Sequence, residues 1–240
     1  MNKTISILFV MLFLALGLNA QIRKGALISV FGSKNLSDNP LDTKMYEVLL
    51  KDSSFNLDPI VAKFDELIRK DFLPQFPFPF VDKDVVVKNP GYQGLTKYTL
   101  HSGNTIYTTS APGYIPIVAF GIVDDTEAME NAFKLLPEDV DVVMIAYIDF
   151  NLVDQIGFGG VSFKKVRANV NLKLFDRKLD RIFKLKENAM SDESVTAVSG
   201  FVANVDKILP LINNAAEKLF EEMQEKLPRS LAKMAKKLNK

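Results

Sequence analysis

The pattern of hydrophobic and polar positions is clearest between residues 140 and 183. Residues 142–148, Val-Val-Met-Ile-Ala-Tyr-Ile, form a nearly unbroken apolar run between Pro137-Glu138 and Asp149. Such a run suits a central strand covered on both faces. A glycine-rich bend follows, Gly157-Phe158-Gly159-Gly160. The period then becomes two. Val166, Ala168, Val170, Leu172 and Leu174 alternate with Lys165, Arg167, Asn169, Asn171 and Lys173. This predicts a long strand with one buried and one wet face, Asn171 and Lys173 being exposed. Asp176-Arg177-Lys178 reads as its turn, and 179–185 as a returning strand.

Helical spacing governs three other stretches. Asp58-Pro59 places a capping carboxylate before a proline at the first helical position. Ile60, Phe64, Leu67, Ile68 and Phe72 then share a face, and Pro74 stops the helix. Asp124-Asp125-Thr126 cap a second helix with Met129, Ala132, Phe133 and Leu136 on its apolar face, ended by Pro137. Leu209, Ile212, Ala216, Leu219, Met223 and Leu227 mark a long third helix, with Glu217, Lys218, Glu221, Glu222 and Glu225 opposite.

Shorter elements fill the rest. Strands are expected at 26–31, at Val85-Val86-Val87 and at 117–123. A weak helix is expected at 44–51, a turn at Asn89-Pro90-Gly91-Tyr92 and a small-residue linker at 191–200. Together these predict an α/β fold, a three-layer sandwich with a mixed sheet, a long β-hairpin and a long C-terminal amphipathic helix.

The chain ends alter this picture. Lys3 followed by an apolar stretch over 5–18 and Asn19-Ala20 reads as a signal peptide over 1–20. The expected location is the periplasm, with secretion as the alternative. Residues 21–227 are then one α/β domain with an irregular insertion at about 92–116, and 228–240 a basic tail. Pro228 predicts a kink or break near 225–227. The tail presents Arg229, Lys233, Lys236 and Lys237 opposite Leu231, Met234 and Leu238. It is a candidate contact for an anionic lipid surface or an acidic partner; the alternative is a final helical turn with a frayed, solvated end. A tail that can leave the body also implies that truncation after Leu227 leaves thermal stability nearly unchanged.

Composition narrows the chemistry. Without Lys3, basic and acidic residues balance at 29 each, which argues against nucleic acid. The chain has no cysteine, so it carries no disulfide and no thiol ligand. His101 is the only histidine, in a polar His-Ser-Gly-Asn turn, and any imidazole-based triad would have to use it. Asp82/Asp84, Asp124/Asp125 and Asp139/Asp141 lack the ligand count of a calcium loop. The bend at 157–160 lacks the spacing of a phosphate loop, and a strand follows it. No catalytic residue, metal or cofactor is assigned.

The distinctive feature is aromatic. In Gln75-Phe76-Pro77-Phe78-Pro79-Phe80 alternate prolines favour extended backbone, which places the three phenylalanines on one side. With Tyr92, Tyr98, Tyr107 and Tyr114 they form the candidate binding set, an exposed ledge for a ligand or partner; the alternative is a connector whose rings pack into the core.

The stretch 140–186 resembles the CsgG/LpoB-like periplasmic domains, which share the fold of the TolB amino-terminal domain. The likeness lies in Val140-Asp-Val-Val-Met-Ile, Gly157-Phe-Gly-Gly160 and Val170-Asn-Leu-Lys-Leu-Phe-Asp176. The turn after Asp176 departs from the Thr-Gly usual there, and the lipid-anchoring cysteine is absent. The resemblance implies an assembly, activation or secretion accessory of the cell envelope without catalysis of its own, partnered by envelope proteins. The alternative is a periplasmic carrier of an apolar small molecule or lipid, using the Phe/Tyr-rich region 76–114.

Overall fold

The computed structural model describes residues 22–36, 52, 55–95, 101–102, 105–106, 108–119, 125–155, 157–198, 201–202 and 205–238. The signal peptide at 1–20, the helix expected at 44–51, Tyr98 and Tyr107 lie outside these residues.

Nine strands and four α-helices are described: β1 (Lys24–Ser33), α1 (Asp58–Leu67), α2 (Lys83–Val87), β2 (His101–Ser102), β3 (Thr105–Ile106), β4 (Thr108–Ser110), α3 (Thr126–Leu135), β5 (Val140–Asp154), β6 (Val161–Asp176), β7 (Arg181–Met190), β8 (Val195–Val198), β9 (Phe201–Val202) and α4 (Ile208–Leu238). Seven strands make one mixed sheet in the order β4-β1-β5-β6-β8-β9, with β7 also beside β6. Among the described strands only β1 and β5 run parallel. The parallel pair is pinned at its start by charge: Arg23 meets Asp141 at 2.8 Å and Lys24 meets Asp139 at 2.6 Å. The Asp139/Asp141 pair is therefore committed to the frame.

β5 and β6 pair antiparallel, with Ala146 opposite Leu172 and Ile148 opposite Val170. Val166, Ala168, Val170, Leu172 and Leu174 are buried. This face lies under α1 and α4, whose Phe64 and Phe220 rings stack at 5.9 Å. The opposite face carries residues 115–119 and α3. Ser29 Oγ donates to the Ile115 carbonyl and accepts from the Ile117 amide. The sheet thus has a helical layer on each side.

Beside β6 the returning edge changes strand. Arg167–Phe175 of β6 pairs with β7, and Val161–Lys164 with β8. Buried Ser191 joins the two: its amide donates to the Val166 carbonyl, and its hydroxyl accepts from the Val166 amide. The expected linker at 191–200 therefore contains β8. Its small residues suit the strand because Val195 and Ala197 face the core.

Other expectations also give way to tertiary contacts. Val85-Val86-Val87 is helical in α2, because Asp82 begins the turn and Val86 drops into the core. The helix cost of a β-branched residue is only a few tenths of a kcal/mol, and burial outweighs it. Of the strand expected at 117–123, residues 117–119 are buried and the Val118 carbonyl accepts from the Asp125 amide; residues 120–123 lie outside the described residues. Asp58 is the first residue of α1 and caps nothing; its carboxylate accepts from the Thr109 hydroxyl. At the end of α1 the backbone winds into a π-turn, Ile68–Phe72, before Pro74.

Lys173 is the sharpest correction within the hairpin. It is buried, and its ammonium donates to the Ala119 carbonyl, because residues 115–119 cross over its end of the sheet. Asn171 beside it is half-buried. Leu172→Ala should cost about 2–5 kcal/mol, as large-to-small core changes do. Lys173→Ala should cost about 1–3 kcal/mol through the bereft carbonyl, where an exposed lysine would cost almost nothing. Urea unfolding of the two variants measures both; a neutral Lys173→Ala would place the lysine in solvent.

Helix α4 runs unbroken through Pro228. The expected kink is offset by burial beyond it: Leu231, Met234 and Ala235 are all in the core.

Candidate functional site

The aromatic segment 76–80 crosses from β7 to the free side of β1. Phe76 and Phe78 are buried and Phe80 is half-buried. The three rings gather with centroids 5.4–5.7 Å apart, and Phe76 meets Phe183 of β7 edge-on at 5.1 Å. At the β1 end the segment adds a short extension to the sheet. The Gly25 amide donates to the Pro79 carbonyl, and the Val81 amide donates to the Gly25 carbonyl. Phe80 lies over Gly25, where a Cβ would fall 2.8 Å from its ring, so glycine is needed there.

A groove of about 570 Å³ opens along this segment. Pro74, Pro77, Pro79 and the phenylalanines give its apolar wall; Arg69, Asp82 and Lys83 give its polar one. The groove is open to solvent and shallow, because two of the three rings are spent on the core.

A buried ion cluster stands behind the polar wall. Asp65, only 2 % exposed, accepts from Arg69 Nε at 3.0 Å and from Lys83 Nζ at 2.9 Å. The π-turn displays Arg69, and the unexpected helix α2 supplies Lys83. Bonding to Asp65 through Nε leaves the two terminal guanidinium nitrogens without a partner among the described residues. Asp65 raises the already high Arg69 value further, so the charge is fixed. Lys83 Nζ also sits 4.6 Å from the centre of the Tyr114 ring, a cation–π contact. The Tyr114 hydroxyl is buried with no partner among the described residues. Burial, then the Asp65 charge, pushes its ionisation far above the ordinary tyrosine range, so it stays neutral.

The structure thus brings Phe76, Phe78, Phe80 and Tyr114 into one neighbourhood. Tyr92 is set deeper, its hydroxyl donating to the Ile28 carbonyl and accepting from the Ile115 amide, a tie between layers. Arg229, Lys233, Lys236 and Lys237 are exposed on α4, and Lys237 Nζ donates to the Arg181 carbonyl. His101 lies in β2. Sequence reasoning missed Asp65, Arg69 and Lys83. The one available signal was Asp65 at the edge of the apolar stripe of α1, with Arg69 one turn on.

No family profile matches the chain, and no curated protein matches it. Several solved bacterial structures are distantly similar. The hypothetical protein CT253 of Chlamydia trachomatis is 13 % identical, with a TM-score of 0.32, over 88 % of this chain and 98 % of that one. A putative neuraminyllactose-binding hemagglutinin homolog of Helicobacter pylori is 10 % identical, with a TM-score of 0.35, over 90 % and 89 %. The lipoprotein GNA1162 of Neisseria meningitidis is 11 % identical, with a TM-score of 0.29, over 83 % and 99 %. Scores of this size describe a partial overlap of elements and assign no activity. No described helix is long and apolar enough to cross a membrane.

Proposed function

We propose that this chain is an exported, non-catalytic accessory of the cell envelope that docks an extended segment of a partner protein in the groove at 69–83. The observation that carries this reading is the composition of the groove. Proline and phenylalanine offer apolar area, Arg69 and Lys83 offer donors, and Asp82 offers an acceptor. A peptide brings the complementary mixture, apolar side chains with backbone donors and acceptors in alternation. Export, the CsgG/LpoB-like pattern at 140–186 and the scarcity of nucleophile–base pairs support the same reading. The carrier alternative fits less well, since a site that encloses a small apolar ligand buries most of that ligand's surface, and this groove is open.

Pro77 lines the groove and is exposed, so a photoreactive phenylalanine there tests the proposal in the mature chain. Irradiation in the cell envelope should yield a discrete cross-linked protein, and Arg69→Ala should abolish the product. The reading is wrong if the product survives Arg69→Ala. It is equally wrong if native mass spectrometry finds the purified protein loaded with a lipid that Arg69→Ala releases.

A further inference from the structure

Four of the five large apolar side chains exposed among the described residues cluster at one end of the molecule. Phe158 is 94 % exposed, Val198 50 %, Phe163 47 % and Val161 39 %. Val161 and Val198 are cross-strand partners, as are Phe163 and Thr196, so Val161, Phe163 and Val198 share a face. Phe158 stands at the apex beyond them, on the turn joining β5 to β6.

The apex is built and not frayed. The Phe158 amide donates to the Val161 carbonyl at 2.8 Å, and the Val161 amide donates back at 3.1 Å. Gly159 and Gly160 between them have φ of +63° and +82°, the positive pair of a tight hairpin turn. A Cβ on Gly157 would come within 2.6 Å of the Val161 carbonyl oxygen, so the backbone is closed on itself there. Phe158, held by such a turn, packs on almost nothing among the described residues.

Among the described residues, the strand ends that form the tip carry no charge. No charged residue occurs from 155 to 163 or from 194 to 205. The first charges behind the tip, Asp154 and Lys164, neutralise each other at 2.8 Å. A protein partner of ordinary affinity needs about 800 Å² on each side, which four side chains on a convex tip do not supply. A lipid interface asks for less: an apolar, uncharged projection that enters the boundary between headgroups and acyl chains by about 5–10 Å.

From this we infer that the β5–β6 tip, with β8 beside it, is a membrane-contacting element that inserts Phe158, and behind it Val161, Phe163 and Val198, into the surface of a lipid bilayer. The inference is independent of the groove. Because the tip is uncharged, its binding depends little on salt or on anionic lipid. That separates it from any contact through the basic end of α4, which salt would screen.

The chain contains no tryptophan, so Phe158→Trp places a single reporter at the apex. With phosphatidylcholine vesicles its emission should shift to the blue, and lipids brominated near the headgroup should quench it. The mature chain should float with these vesicles equally at low and high salt. Phe158→Asp combined with Val161→Asp, both at exposed positions, should reduce the vesicle-bound fraction by about tenfold while leaving the circular dichroism unchanged. An emission unaffected by vesicles would overturn the inference. So would a blue shift that grows with protein concentration without lipid, which would make a second copy the occupant. Flotation that survives the double substitution would also overturn it.

Discussion

Truncation after Leu227 should destabilise the protein by at least about 2–5 kcal/mol, the cost of one large-to-small core substitution. The reason is the placement of the last turns of α4. Leu231 is 6 % exposed and Met234 1 % exposed, so both belong to the core that α4 shares with β6 and β7. Lys237 further ties the helix end to the Arg181 carbonyl at 3.0 Å, beside the start of β7. Removing residues 228–240 uncovers this part of the sheet. For a domain of this size, each kcal/mol shifts Tm by roughly 2–4 °C. A drop of about 5–15 °C in a thermal scan is therefore expected. Pro228→Ala should act in the opposite direction, since it restores a backbone donor inside a continuous helix. Lys233→Ala, on the exposed side, should change little. A truncated chain that melts with the full chain would mean that the final turns are frayed after all.

The tail shows why parts of this fold were legible and others were not. A proline in a helical pattern predicts an interruption from local physics alone, and local physics is correct about the lost donor. What the pattern does not contain is the other side of the contact. Leu231 and Met234 continue the stripe of Leu219, Met223 and Leu227, and the sheet beneath holds them in line. Lys173 teaches the same lesson from a strand. Period two puts it opposite Leu172 and Leu174, as the register has it, but residues 115–119 cover its end of the polar face. The hairpin, α1, α3 and α4 were readable because each buries a long periodic face. Residues 195–198 were not, because a short small-residue run takes its form from whichever edge receives it. The aromatic triplet was readable as a cluster, since alternate prolines bar a helix between its rings. Its charged wall was not, since Asp65, Arg69 and Lys83 are joined only by the path of the chain from α1 to α2.

Asp65→Ala should be the most damaging single substitution at the groove, at about 3–5 kcal/mol. A carboxylate 2 % exposed is tolerable only because Arg69 and Lys83 both reach it, and each cation is held in place by it in return. Without Asp65, Lys83 would lie over the Tyr114 ring with no anion and beside a second cation. Arg69 can swing outward, its side chain being 40 % exposed, so the lower end of the range is expected. Lys83→Met should be milder, at about 1 kcal/mol, because Asp65 keeps Arg69 and the methionine can still pack on Tyr114. The decisive comparison is the double variant Asp65→Leu with Lys83→Met. If Asp65 and Lys83 are coupled, the double variant should be more stable than Asp65→Ala and recover about half of the loss. Additive losses in the double variant would show that Asp65 and Lys83 do not act on each other.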